Sequence, residues 1–132
     1  MGRIIALDYG EKRIGVAVSD PLGIIATGLT AVPDIEALKK VVDQYPEATE
    51  IVIGLPKTMR GEIGSSAEKV LTFIEQLKLV CSLPIKTIDE RLTTVEAERS
   101  LLETGLSRAK RKKVIDQSAA AVLLQSYLDH IK

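Results

Sequence analysis

The fold is decided by the stretch RIIALDYGEKRIGVAV, residues 3–18. Two apolar runs flank a short polar segment that contains Gly10, and this pattern predicts a β-hairpin with strands at residues 3–8 and 13–19. Asp8 stands at the end of the first run. A carboxylate among apolar strand residues is costly unless a cation or a hydrogen-bond donor compensates it. The hairpin therefore predicts a partner for Asp8, and a divalent metal ion is a strong candidate.

The rest of the chain alternates strands with helices. Further strands are predicted at residues 23–32, 50–55 and 84–88. Helices are predicted after the cap residue Asp34, from the capping boxes Ser65-x-x-Glu68 and Thr93-x-x-Glu96, and from near Lys112 or Asp116 to about Leu128. This order predicts one α/β domain over residues 1–132, with a mixed five-stranded sheet, its first three strands a meander, and helices on both faces.

Composition narrows the possible partners. Lysine plus arginine number 18 and aspartate plus glutamate number 18, so any affinity for nucleic acid must come from a local patch. Aromatic residues make up 3%, which argues against a surface that stacks bases on rings. With one cysteine, Cys81, and one histidine, His130, a bound metal is expected to be a hard ion held by oxygens. We expect a cytoplasmic protein without a signal peptide or a membrane partner.

Three acidic residues are the candidate catalytic and metal-binding residues: Asp8, Glu90 and Asp116. The predicted order makes the first, fourth and fifth strands parallel, so Asp8 and Glu90 both lie toward the carboxyl ends, where open α/β sheets bind ligands. Asp116 shares a helical line with inward-facing apolar residues. Carboxylates that meet there suit Mg²⁺ or Mn²⁺ in phosphodiester hydrolysis. Taken singly, the three acids also fit a hairpin turn, a surface ion pair and a helix cap.

A basic run precedes the last acid, with five cations in the six residues 108–113. Such runs are most often solvated, but this one borders the candidate metal site and favours contact with a phosphate backbone. The glycine-rich segment 54–64 is a candidate phosphate-holding loop, although it lacks the ending of a Walker loop. The candidate nucleic-acid-binding residues are Lys12, Arg13, Lys57, Arg60, Arg91, Arg108, Lys110, Arg111, Lys112 and Lys113.

The chain resembles the YqgF family, described as Holliday-junction resolvases and as nucleases that mature the ribosomal RNA precursor. The matching motifs are DYGEKRIGVA at 8–17, GLP at 54–56, DERLTT at 89–94 and DQSAA at 116–120. The resemblance implies an RNase H-like fold with Asp8, Glu90 and Asp116 as the acidic site. Better-known resolvases of that fold carry a further acid at the position of Ala119, so the number of metal ions stays open.

These observations favour a metal-dependent nuclease, with processing of the 5′ end of the 16S rRNA precursor as its expected role. A Holliday-junction resolvase and a non-catalytic RNA-binding module are the alternatives. A phosphate-binding ATPase ranks last, because such enzymes clamp a nucleotide between two domains and this chain is too short for two. Junction resolution needs two sites and hence a dimer, so the expected state is a monomer or a homodimer.

Overall fold

The computed structural model describes residues 2–56, 64–89 and 119–131. Within these ranges the strands are β1 (Arg3–Tyr9), β2 (Ile14–Ser19), β3 (Ala26–Val32), β4 (Ala48–Leu55) and β5 (Ile85–Asp89). The helices are α1 (Ile35–Asp43), α2 (Ser65–Lys78) and α3 (Ala119–His130). The helix predicted from Thr93 and the predicted start of the last helix lie outside the described residues.

The strands form one mixed sheet in the order β3-β2-β1-β4-β5. β1 pairs with β2, and β2 with β3, in antiparallel fashion, which is the predicted meander. β4 pairs in parallel with β1 on one side and with β5 on the other. The predicted five-stranded architecture is therefore confirmed, including the parallel direction of β1, β4 and β5.

Alternation along β1 divides the core between the two faces of the sheet. Ile5 and Leu7 belong to the cluster that packs under α1 and α2. Ile4 and Ala6 belong to a second cluster, which packs under α3. β1 lies in the middle of the sheet and is covered on both faces, which fits its continuous apolar run from Ile4 to Leu7. The prediction of helices on both faces is confirmed.

The third strand is shorter than predicted, because a turn occupies its first residues. Asp20 accepts backbone N–H hydrogen bonds from Ile24 at 2.7 Å and from Ile25 at 2.8 Å through the same carboxylate oxygen. Gly23 adopts a positive φ of 70° inside this turn, a conformation that favours glycine. β3 consequently begins at Ala26, three residues after the predicted start at Gly23.

One of the two testable helix starts is as predicted. Asp34 caps α1 by accepting the N–H of Ala37 at 2.8 Å. The Ser65-x-x-Glu68 capping box is wrong, because Gly64 occupies the cap position and α2 has no side-chain cap. Ser65 is already helical, and the Glu68 N–H donates to the carbonyl of Gly64. None of the described helices is both long and apolar enough to cross a membrane.

Candidate active site

The direction of the Asp8 side chain follows from its neighbours in β1. Leu7 is fully buried in the cluster under α1 and α2, and Tyr9 packs against that cluster with its ring 4.7 Å from the ring of Phe73. Successive strand residues point to opposite faces, so Asp8 shares the α3 face with Ile4 and Ala6. Asp8 is half-buried, whereas Ala6 is fully buried. The alternating direction of the side chains along β1 thus places a carboxylate at the rim of the α3 face.

α3 begins beside Asp8. Gly15 is the cross-strand partner of Asp8. A Cβ atom built on Gly15 would lie 3.7 Å from the Cβ of Asp8 and 3.7 Å from the Cβ of Ala120. The first described turn of α3 and Asp8 of β1 therefore lie on either side of Gly15. Because Gly15 has no side chain, the space between them stays open.

The ends of the parallel strands share one edge of the sheet. Leu7 pairs with Ile53, Ile53 with Thr87, and Leu55 with Asp89. Asp8 is thus at nearly the same level as the end of β5, two strands and about 10 Å away, at about 4.8 Å per strand. Ile88 packs under α3, so β5 also turns a side chain toward the face that carries Asp8. The predicted location of Asp8 at a carboxyl edge is confirmed.

The three-acid site itself stays a prediction. Asp8 lies in the described part of the chain, and Glu90 and Asp116 do not. Within residues 2–56, 64–89 and 119–131, no three histidine, cysteine, aspartate or glutamate side chains group closely enough to hold a metal ion. A metal site that combines Asp8 with two more such side chains therefore needs ligands from outside these ranges. The candidate cations that also lie outside them are Lys57, Arg60, Arg91, Arg108, Lys110, Arg111, Lys112 and Lys113.

The turn between β1 and β2 presents two described cations, Lys12 and Arg13, both exposed. The Gly10 N–H donates to the carbonyl of Arg13 at 3.0 Å, and a Cβ on Gly10 would lie 2.9 Å from that oxygen. The acid of the turn, Glu11, forms an ion pair with Lys69 of α2, and the hydrogen bond from Lys69 lowers the pKa of Glu11. This ion pair offsets the negative charge of Glu11. The turn is therefore left with the positive charges of Lys12 and Arg13.

A cavity of about 570 Å³ opens beside Asp8. Its described lining comes from the start of α3 and from β2 and β3, and among those residues the charged ones are Asp8 and Arg13. The volume falls within the about 300–1,000 Å³ typical of small-molecule sites. The described lining residues are Asp8, Arg13, Gly15, Val16, Gly28, Leu29, Thr30, Ala31, Ala119, Ala120 and Ala121.

Sequence reasoning did not single out Gly15 or Gly28 as site residues. The available signal is a glycine inside a strand pattern, which often marks the close approach of another group. Both glycines fit this description, because Gly15 lies in β2 near Ala120 and Gly28 lies in β3 near Ala121.

A polar cluster at the other end of the α3 face was also missed. The Tyr127 hydroxyl donates to Glu50 at 2.9 Å, and Lys86 lies 2.9 Å from the other carboxylate oxygen. Burial raises the pKa of Tyr127, and the Glu50 carboxylate raises it further. The hydrogen bond to Glu50 raises the pKa of Lys86. This cluster joins α3 to β4 and β5 at the ends of these strands that lie away from Asp8.

The fold and the site define an RNase H-like α/β protein with an acidic side chain at the carboxyl end of its first strand. A solved structure of T. thermophilus RuvC in complex with a Holliday junction substrate has a similar fold, with a TM-score of 0.56. The match covers 99% of this chain and 96% of that chain at 16% identity. At this identity the likeness establishes the fold alone.

The chain belongs to the RuvX family, whose model is described as Holliday junction resolvase and matches residues 2–130. This result confirms the resemblance to the YqgF family. A relative from Clostridium novyi (strain NT), named "Putative pre-16S rRNA nuclease", is 53% identical, with 98% of this chain and 99% of the relative aligned. A relative of the same name from Desulforamulus reducens is 52% identical, with 96% of each chain aligned.

Proposed function

We propose that this protein is a metal-dependent nuclease that hydrolyses phosphodiester bonds at the 5′ end of the 16S rRNA precursor. The names of its relatives support the substrate. The observation that carries the proposal is the half-buried Asp8 carboxylate, which stands at the carboxyl edge of three parallel strands beside an open cavity. We place the protein in the cytoplasm, as one domain over residues 1–132 and as a monomer or homodimer. The family match over residues 2–130 supports the single domain.

Asp8, Glu90 and Asp116 are the proposed ligands of Mg²⁺ or Mn²⁺. Carboxylates are the hard oxygen donors that these ions prefer. Glu90 directly follows β5, which ends at the same edge as β1, and Asp116 stands four residues before Ala120, which lies close to Asp8 across Gly15. A divalent cation bound there would supply an activated water and offset the charge of the reacting phosphate.

The basic residues position the strand in this proposal. Arg13 lines the cavity together with Asp8, so its guanidinium is available to a backbone phosphate at the same end. Lys12 lies beside it in the exposed turn. We propose that the remaining candidate cations, including the run at 108–113, extend this contact along the backbone. Binding would then weaken steeply as salt is raised, because each neutralised phosphate releases counterions.

Two alternatives have their own support. The family description favours a Holliday-junction resolvase, which would require two sites and hence a dimer. Ala119 occupies the position where related resolvases carry a further acid, as the sequence resemblance indicates, and this favours a module that binds RNA without cutting it. Both alternatives use the same cavity and the same cations.

The proposal is tested by incubating the protein with Mn²⁺ and two labelled substrates, a 16S precursor fragment and a synthetic four-way junction. We expect cleavage of the RNA near the mature 5′ end. The Asp8→Asn variant should lose metal-dependent cleavage while it keeps its thermal unfolding midpoint. Asp20→Asn is the matched control, because it makes the same acid-to-amide change in a turn at the opposite end of β2.

Each outcome selects one of the three functions. Cleavage of the junction alone would establish the resolvase, and salt-sensitive RNA binding without cleavage would establish the binding module. An Asp8→Asn protein as active as the parent would remove Asp8 from the reaction and refute the proposed site.

A further inference from the structure

We infer that the cavity beside Asp8 is a nucleotide subsite, which receives the sugar and base next to the scissile phosphate, and that Gly28 determines what fits. This inference rests on the proposed nuclease function, because it requires the reacting phosphate to lie at Asp8. It adds Gly28, a residue of β3 that is neither one of the predicted metal ligands nor part of the basic run.

The lining divides the cavity into a charged end and an uncharged end. Asp8 and Arg13 lie at the end of the cavity where β1 and β2 meet. Gly28 pairs with Ala17, one strand farther out and two residues along β2 from Gly15. From strand spacing and rise, Asp8 and Gly28 are about 12 Å apart, which is longer than a phosphate alone. The phosphate therefore suits the charged end, and the uncharged part of a nucleotide suits the end at Gly28.

Gly28 is not required by its backbone conformation. Among the described glycines, Gly23 is the one with positive φ, so Gly28 lies in a region open to any residue. Glycine inside a strand costs about 0.5–1 kcal/mol relative to alanine. Among the described residues, no neighbour forces a glycine either, because a Cβ on Gly28 would meet the Cβ of Ala121 at 3.8 Å, which is an ordinary distance. Its effect is to leave space between β3 and α3.

A larger side chain would close that space. The Cβ of valine at position 28 would touch Ala121, and its two methyl groups would project from there into the cavity. Valine is favoured in strands, so Gly28→Val is expected to fold. Thr27→Val is the matched control, because it introduces the same side chain one residue earlier, at an exposed position on the opposite face of β3.

The experiment combines these variants with intact RNA and with RNA that lacks one base beside the cut. The parent, Gly28→Val and Thr27→Val are assayed with Mn²⁺ on an intact precursor fragment and on fragments with one abasic nucleotide on either side of the cut. Binding of the same RNAs is measured with Ca²⁺ by fluorescence anisotropy. For Gly28→Val we expect at least a tenfold rise in KM and Kd on intact RNA, and recovery to within threefold of the parent on one of the abasic RNAs. Thr27→Val should behave as the parent on all of them.

The outcomes separate the subsite from the nuclease. The subsite is overturned if Gly28→Val has the KM and Kd of the parent, or if neither abasic RNA restores the KM and Kd that the variant loses. Cleavage by the parent protein would in either case still support the nuclease function. Parent protein that binds but does not cut refutes the nuclease and, with it, a subsite next to a scissile phosphate. Parent protein that neither binds nor cuts refutes both. If Gly28→Val does not unfold cooperatively, Ala121→Leu fills the same space from the helix and is judged by the same criteria.

Discussion

Ser19→Ala should destabilise the fold without changing the chemistry at Asp8. Ser19 is fully buried, and its hydroxyl accepts the N–H of Ile4 at 2.8 Å and donates to the carbonyl of Asp20 at 3.0 Å. Alanine would leave the buried N–H of Ile4 without its partner, which costs about 1–3 kcal/mol. With an unfolding entropy of about 2.1 cal/mol/K per residue, this cost lowers Tm by about 4–11 °C for a chain of 132 residues.

The assay compares thermal unfolding of the parent, Ser19→Ala and Ser82→Ala. Ser82 is exposed, so its variant removes a hydroxyl that water can replace and should shift Tm by less than about 2 °C, in line with surface substitutions of about 0.5 kcal/mol. Cleavage at 25 °C should be unchanged in both variants, because Ile4 lies four residues from Asp8 at the other end of β1. A Tm for Ser19→Ala within 2 °C of the parent would refute the assignment of the Ile4 N–H to this hydroxyl.

Two further predictions concern the acids that cap local structure. Asp34→Ala removes the cap that accepts the Ala37 N–H and should lower the free energy of unfolding by about 1 kcal/mol in urea titrations, with Asp34→Asn closer to the parent. The N–H groups of Ile25 and Ile24 lower the pKa of Asp20, so its stabilising effect is complete above the unfolded pKa of about 3.9 and is lost as pH falls through the lower folded pKa. The free energy of unfolding of Asp20→Asn should therefore fall less than that of the parent as the pH is lowered from 5. An unchanged dependence of the free energy of unfolding on pH would contradict this role.

The sequence predicted the elements whose signals are local and periodic. The apolar run of β1, the Asp34 cap and the apolar line of α2 through Val70, Phe73 and Leu77 are all confirmed. These signals can be read from sequence because each one depends on the residues of a single strand or helix. The placement of Asp8 at a carboxyl edge followed from strand order alone, since β1 and β4 run parallel.

The errors arose where one residue decided between two similar geometries. Ser65 and Glu68 have the spacing of a capping box, but the chain enters α2 one residue earlier, at Gly64. The start of β3 was misplaced because the Asp20 side chain holds Ile24 and Ile25 in a turn, although both residues are typical of strands. Local pattern does not register such competition between a side-chain hydrogen bond and a strand ladder.

Contacts between segments that are far apart in the sequence could not be predicted from local sequence patterns. Tyr127 and Glu50 are 77 positions apart, and their hydrogen bond depends on how α3 lies across β4. Gln125 presents the same difficulty, because it accepts from the Ala26 N–H and donates to the Ile24 carbonyl across about a hundred residues of sequence. These contacts hold α3 at the end of the sheet away from Asp8, and therefore help to determine where Ala120 stands beside it.

The position of Asp8 is explained by a balance between stability and function. Its neighbours Leu7 and Tyr9 pack on the face of the sheet that α1 and α2 cover, so residue 8 must point to the face that α3 covers. An apolar residue at position 8 would extend the apolar row formed by Ile4 and Ala6 on this face. It would also have room, because Gly15 beside it has no side chain. The chain instead places a charge beside a cavity at the point where its apolar pattern breaks. Local departures from good packing of this kind are typical of functional sites, and this one is tolerated because the run from Ile4 to Leu7 in the same strand is buried.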